Sequence, residues 1–324
     1  MHNSKGWIRA IAFILVCIML NEALGFGLMP ATFARLDIHN IEENQYEDIF
    51  FGTSRGFAGI SPQQVESVTG RKTTSLCLGS VFPLDDFYLL QYACKKGKPK
   101  RFIYELDPSY YTVEDYQGIN NPFLYNEMAL SKIKVEYYLD KYMEDDLRLF
   151  FFPWLFYRNG YREVKDTVKM KLSKPYQNYD SIVASDQTAE YMPEGFQYHH
   201  RREEPLKKDG TYLSWCKEAV KKDREEDLER IIQYCKDEKI ELLVITLPAP
   251  KETIEGHPEG YENAHQYYSK LFKEKKINYL DFNMIEDRRI DNQDDNYWDS
   301  EGHMYGDAAE RFSKVLGAYL LKEK

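Results

Sequence analysis

The chain opens on a nearly unbroken apolar run. Trp7-Ile8 and residues 10–20 follow the basic side chains Lys5 and Arg9, and after Asn21-Glu22 a second apolar patch covers residues 23–29. Continued to about Leu28, the run approaches the ~20 residues that cross a bilayer. The leading positive charges predict that the amino terminus stays in the cytoplasm and that the chain behind it is exported. With no A-x-A cleavage site after it, residues 1–29 are expected to be an uncleaved signal anchor rather than a removed peptide. The large Val16 next to Cys17 argues against a lipoprotein signal. Residues 30–47 are polar and read as a linker.

From Asp48 onward, short apolar runs alternate with amphipathic stretches. The runs at 49–51, 75–78, 102–106, 242–247 and 277–282 predict five buried strands. Helices are predicted for 63–68, behind the Ser61-Pro62 start signal, and for 85–92, 218–238, 262–275 and 305–321. Strand–helix alternation of this kind predicts an α/β domain over 48–324, built on a doubly wound, five-stranded, mostly parallel sheet with right-handed crossovers. Between about 109 and 212 the alternation breaks. That stretch is aromatic and charged, with a predicted helix at 131–149, an apolar cluster at 150–157 and a loop-like segment at 173–202. It reads as a lid-like insertion whose apolar cluster packs on the main core rather than facing membrane or substrate.

Composition narrows the partners. The 324 residues carry a net charge of -10 with no long basic stripe, which argues against nucleic acid. Tyr at 26 and Phe at 18 are numerous. Aromatic surfaces suit carbohydrate or lipid contact, and ordinary core packing uses the same residues. Cys17, Cys77, Cys94, Cys216 and Cys235 form no CxxC pair or His/Cys cluster, so zinc is not expected. Outside the cytoplasm the last four can form at most two disulfides; buried free thiols are the default expectation.

The candidate chemistry centres on Gly52-Thr53-Ser54-Arg55, directly after the first predicted strand. Active groups of an open parallel sheet gather at the carboxyl ends of its strands. Ser54 and Gly79 fall there, and Asp299 and His303 sit before the final helix. A serine nucleophile needs a base, a carboxylate to orient that base, and donors for the developing oxyanion. His303 can be the base and Asp299 the orienting acid, with the backbone N–H groups of Ser54 and Gly79 as oxyanion donors. Arg55 can steer an anionic substrate or hold the loop through an ion pair. His199-His200-Arg201-Arg202 is expected to be a solvated loop. His257 and His265 have no evident partners, and 291–295 is read as a solvated acidic turn rather than a calcium loop.

These blocks, in this order, resemble those of the SGNH/GDSL hydrolase superfamily. The resemblance is to its membrane-anchored bacterial branch of alginate O-acetyltransferases and D-alanyl-lipoteichoic acid biosynthesis proteins. Gly52-Thr53-Ser54 stands for the first block, with Thr for the namesake Asp, Gly79 for the second, and Asp299 with His303 for the last. The resemblance spans about residues 48–320, the insertion excepted. It implies an SGNH, flavodoxin-like fold and a membrane-anchored serine acyltransferase or esterase. The implied substrate is a cell-envelope glycan or polymer ester, a membrane acyltransferase is the implied partner, and no cofactor or metal is implied. The domain would stand outside the cytoplasm on a single-pass anchor. Two positions depart from the family pattern. Three residues rather than two separate Asp299 from His303, so either the loop takes up one extra residue or Glu301 orients the histidine. The family's third-block Asn is replaced by Asp107-Pro108-Ser109-Tyr110, with no Asn before Asn120 and Asn121. A catalytically inactive envelope protein using the fold as a binding or scaffold module is the alternative.

Overall fold

The computed structural model describes residues 4–113, 122–143, 146–203 and 215–322. Asn120 and Asn121 lie outside the described residues, as do parts of the 109–212 stretch. In chain order the elements are α1 (Ser4–Leu28), α2 (Ala34–Glu43), β1 (Asp48–Gly52), α3 (Ser54–Gly59), α4 (Pro62–Thr69), β2 (Thr73–Cys77), α5 (Pro83–Ala93) and β3 (Arg101–Glu105). There follow α6 (Phe123–Glu127), α7 (Lys132–Lys141), α8 (Arg148–Phe151), α9 (Val164–Lys171), α10 (Lys174–Gln177), β4 (Ala189–Met192) and β5 (Phe196–His199). The last are α11 (Lys222–Glu238), β6 (Glu241–Thr246), α12 (Lys251–Gly256), α13 (Pro258–Lys275), β7 (Asn278–Asp281) and α14 (Gly306–Leu320).

The chain divides into two compact units, one of Met1–Arg35 with Asn120–Val183, the other of Leu36–Ile119 with Ala184–Lys324. In the second unit five strands form one sheet in the order β2-β1-β3-β6-β7, and every pairing is parallel. The strands β1, β2 and β3 are buried along their whole length. In β1 and β3 this shows in sequence as a short apolar run, whereas the first three residues of β2 are the hydroxyl-bearing Thr73, Thr74 and Ser75. The step from β1 to β2 runs one way across the sheet and the later steps run the other way. Right-handed crossovers therefore put the connecting helices on opposite faces. The packing agrees, with α4 against α14 in one layer and α5 against α11 in the other. All five predicted strands are present, within one or two residues of their expected ends.

Several local expectations change. Residues 30–47, read as a linker, hold α2, whose Leu36, Ile38 and Ile41 are buried. The hydroxyl of Tyr191 on β4 donates to Asp37 of this helix. Burial drives the Asp37 carboxyl up to about 8 against the help of that bond. The 173–202 segment is not all loop. It contains the antiparallel hairpin β4–β5, whose turn docks on β2 as Ser75 N donates to Glu194 O at 2.8 Å. Gly195 is in the left-handed region at φ 84, and a side chain there would meet the Ser75 carbonyl. Ser61 does sit at the cap of α4 with Pro62 behind it, yet its side chain makes no capping bond.

The first unit is helical. α1 carries an apolar stretch, Gly6–Leu28, long and apolar enough to cross a membrane. The helix expected at 131–149 is shorter, ending as α7 at Lys141. The rings of Tyr125, Tyr137, Tyr138 and Tyr142 cluster with Phe150 and Phe156 at centroid distances of 5.1–6.0 Å. Part of the 150–157 apolar cluster thus packs into the aromatic core of its own unit, whereas Phe151 and Phe152 are exposed.

Candidate active site

The carboxyl end of β1 needs a glycine. Gly52 has φ 142, and a Cβ there would meet the Glu105 carbonyl oxygen of β3 at 2.3 Å. The tight approach lets Thr53 leave the strand and cap α3. Its hydroxyl accepts from Arg55 N at 3.3 Å and donates to Glu105 Oε2 at 2.8 Å, while Thr53 N donates to the same oxygen at 2.9 Å. Ser54 is thereby held as the first residue of α3. The neighbouring strand end brings Gly79 against it, so that a Cβ on Gly79 would lie 3.7 Å from Ser54 Cβ.

The histidine arrives from the other end of the sequence. Tyr297 and Met304 form an antiparallel bridge, and Trp298 N donates to His303 O at 2.7 Å, closing residues 299–302 into a tight loop. Gly302 makes the turn at φ 96, with Arg55 so close that any side chain at 302 would meet the guanidinium. His303 Nε2 lies 2.7 Å from Ser54 Oγ, and His303 Nδ1 lies 2.6 Å from Asp299 Oδ2. Asp299 Oδ1 also accepts from Glu301 N at 3.0 Å and His303 N at 3.2 Å, so the carboxylate is locked in place. Asp299, not Glu301, occupies the place beside Nδ1. The Glu301 side chain instead lines the cavity in front of Ser54.

The electrostatics follow this geometry. Burial works against charge on His303, but its bond to Asp299 and the negative charges of Asp299 and Glu301 outweigh burial and hold its pKa above the ordinary value. Burial also opposes charge on Asp299, and the bonds from His303 and the backbone hold its carboxyl below the usual range. With Nδ1 facing a carboxylate, the neutral ring carries its proton there and presents an Nε2 lone pair to the Ser54 hydroxyl. The arrangement can take the serine proton as the oxygen attacks an electrophile.

A cavity of about 320 Å³ opens in front of Ser54, lined by Arg55, Ser80, Phe82, Asp107, Ser109, Tyr110, Val113, Glu301 and His303. Arg55 is only 2% exposed; it donates to the Leu247 and Pro248 carbonyls at 2.8 and 3.2 Å and lies 3.9 Å from Asp107. The arginine is a strut between three loops rather than a solvent-facing guide. Asp107, just after β3, is taken up by the turn it caps, accepting from Ser109 N and Oγ at 2.9 and 2.7 Å. Tyr110 is the residue the sequence reading passed over. It faces the cavity near Ser54, and burial together with the Asp107 charge pushes its phenol up to about 12, so it stays a proton donor at neutral pH. Its only sequence signal is its place just after the third strand.

Other histidines are reassigned. His199 is not in a solvated loop but on β5, buried and stacked on Trp298 at 5.1 Å. Burial, with the charge of His303, pulls it down to about 4. Arg201 is bound to Asp307 at 2.8 Å, and His200 lies 3.1 Å from Glu190. His265 has a partner in Asp281 at 2.9 Å, whose hydrogen bond raises its pKa. His257 stands at the N-cap position of α13 without a side-chain capping bond, and 294–296 form a short helical turn. Ligand atoms of Asp299, Glu301 and His303 lie within 4.8 Å of one another. Both ring nitrogens of His303 are engaged by Asp299 and Ser54, which leaves no lone pair for a metal while those bonds stand.

Fold and geometry together describe an α/β protein with a hydrogen-bonded serine–histidine–aspartate chain at the carboxyl edge of a parallel sheet. Compared with models of known protein families the chain matches none, and no curated protein matches it.

Proposed function

We propose that the protein is a membrane-anchored serine acyltransferase or esterase of SGNH type, acting on acyl esters of a cell-envelope glycan or related polymer. The observation that carries this reading is the unbroken chain Ser54–His303–Asp299, at 2.7 and 2.6 Å, assembled from residues 249 positions apart. A capping or surface histidine has no reason to hold a serine on one nitrogen and a half-buried carboxylate on the other.

In the mechanism, Ser54 Oγ attacks the acyl carbonyl and its proton passes to His303 Nε2. Asp299 keeps Nδ1–H oriented and stabilises the imidazolium. The backbone N–H groups of Ser54 and Gly79 receive the oxyanion, the second beside Ser54 with no side chain between. Collapse of the tetrahedral intermediate breaks the ester C–O bond, and His303 returns the proton to the leaving hydroxyl. An acceptor hydroxyl, or water, then gives its proton to His303 as it attacks the acyl-serine; the acyl C–Oγ bond breaks and His303 hands the proton to Ser54 Oγ. The cavity of about 320 Å³ favours a short acyl group. The apolar stretch of α1 supports a single-pass anchor with this domain outside the cytoplasm, where a membrane acyltransferase would be the acyl source.

A fluorophosphonate probe on the full-length protein tests the nucleophile. Wild type is expected to label and Ser54→Ala to lose the label. Equal labelling of the two rejects the mechanism and leaves the binding-module alternative.

A further inference from the structure

The helical unit has a second apolar surface besides α1. Phe151 and Tyr161 are 59% and 63% exposed, and Leu147, Phe152 and Leu172 are also open. Exposed aromatic residues in such density mark a contact surface, and three observations say what covers it. First, the segment is tied to the apolar helix itself. Asn21 Nδ2 donates to Phe151 O at 3.2 Å, Trp154 Nε1 donates to Asn21 Oδ1 at 2.8 Å, and Lys171 Nζ donates to Phe26 O at 3.0 Å. Second, the depth is defined. Asn21 precedes Leu28, the end of the apolar stretch, by seven residues, or about 10 Å at 1.5 Å per residue. That is the depth to which interfacial helices sink their apolar faces. Third, the charge is local and of the opposite sign to the whole. Residues 147–172 hold six Lys and Arg against two Asp and Glu, a balance of +4, in a chain of net -10. Aromatic rings, Trp and flanking cations are what the boundary of an anionic bilayer selects.

We propose that the 147–172 segment is a second membrane contact, lying in the lipid interface around the emerging end of α1 with Phe151, Phe152 and Tyr161 among the acyl chains. The inference rests on α1 entering the bilayer and not on the serine chemistry. It makes the anchor a two-part device, a spanning helix and an interfacial collar. Within this unit the collar restricts tilt and rotation of α1.

The test uses the full-length protein in vesicles of equal parts phosphatidylcholine and phosphatidylglycerol, with the acyl chains brominated near their headgroup ends. Phe151→Trp adds an indole at an exposed aromatic position, read by difference from wild type, and Trp7 is read by difference from Trp7→Phe. Both indoles are expected to lose roughly half their emission or more, as residues at interfacial depth do, and the loss at position 151 should shrink without phosphatidylglycerol. Quenching of Trp7 with full emission at position 151 overturns the proposal, whether a second copy or another protein then covers the patch. Full emission at both positions overturns the anchor itself and the collar with it.

Discussion

At the scale of single residues, the pair Asp299 and Glu301 divides two tasks that the loop sequence alone leaves open between them. Asp299 sits on Nδ1 of His303 and is fixed by two backbone donors, whereas Glu301 lines the cavity wall. Under the proposed mechanism the neutral imidazole is the active form, and the pKa of His303 is raised. Ester turnover should therefore rise with pH along a limb centred above the ordinary histidine value. Asp299→Asn removes the bond and charge that raise it, so the limb should move to lower pH while kcat drops by about 10²–10⁴. Glu301→Gln should shift the limb in the same direction but hold kcat within about tenfold, since the orienting bond survives. A pH profile of the three proteins checks both, and an unshifted limb in Asp299→Asn would reject the assignment. Arg55, a candidate for steering, is held by two carbonyls within hydrogen-bond reach and by the Asp107 charge 3.9 Å away, because a charge so buried must be matched.

At the scale of elements, strand ends are where the site is assembled. β1 ends on a glycine because β3's backbone passes too close for any side chain. The loop before α14 turns back tightly because Gly302 can take φ 96 beside Arg55. Gly302→Ala forces an L side chain into that region and against the guanidinium. It should cost about 1–3 kcal/mol of stability and, by moving His303 relative to Ser54, lower kcat about 100-fold. A melting curve and a rate measured on the same preparation check this. A variant with wild-type kcat would show that the loop tolerates the change. The five sheet strands of this unit were legible because buried parallel strands write short apolar runs, and α4, α5, α11, α13 and α14 because their apolar faces recur at helical spacing. Of the rest, α2 did not stand out, and α3 and α12 are too short to do so. The β4–β5 hairpin was not legible either, because its four-residue strands alternate too briefly to stand out from loop.

At the scale of the whole molecule, cysteine placement follows the packing rather than a disulfide plan. All five thiols are free; Cys77 and Cys235 are buried, and Cys17 and Cys216 are exposed. Burial raises the Cys77 and Cys235 thiols well above their ordinary range, which leaves them as thiols. Alkylation of the native protein should therefore mark Cys216 quickly and reach Cys77 and Cys235 only after denaturation, and reductant should leave the melting temperature unchanged. Mass mapping of labelled peptides decides it, and rapid native labelling of Cys77 would contradict the packing around β2. Residue pattern alone determined the five strands, their parallel alternation with helices, the membrane-length apolar helix and the candidate serine and histidine. Those features depend on neighbours close in the chain, or on the strand-end rule of parallel sheets. The tertiary structure alone decided which acid holds the histidine, what Arg55 and Tyr110 face, that His199 is buried, and that 147–172 lies beside α1. Each of these turns on contacts between residues far apart in sequence, and periodicity along a chain carries no record of those.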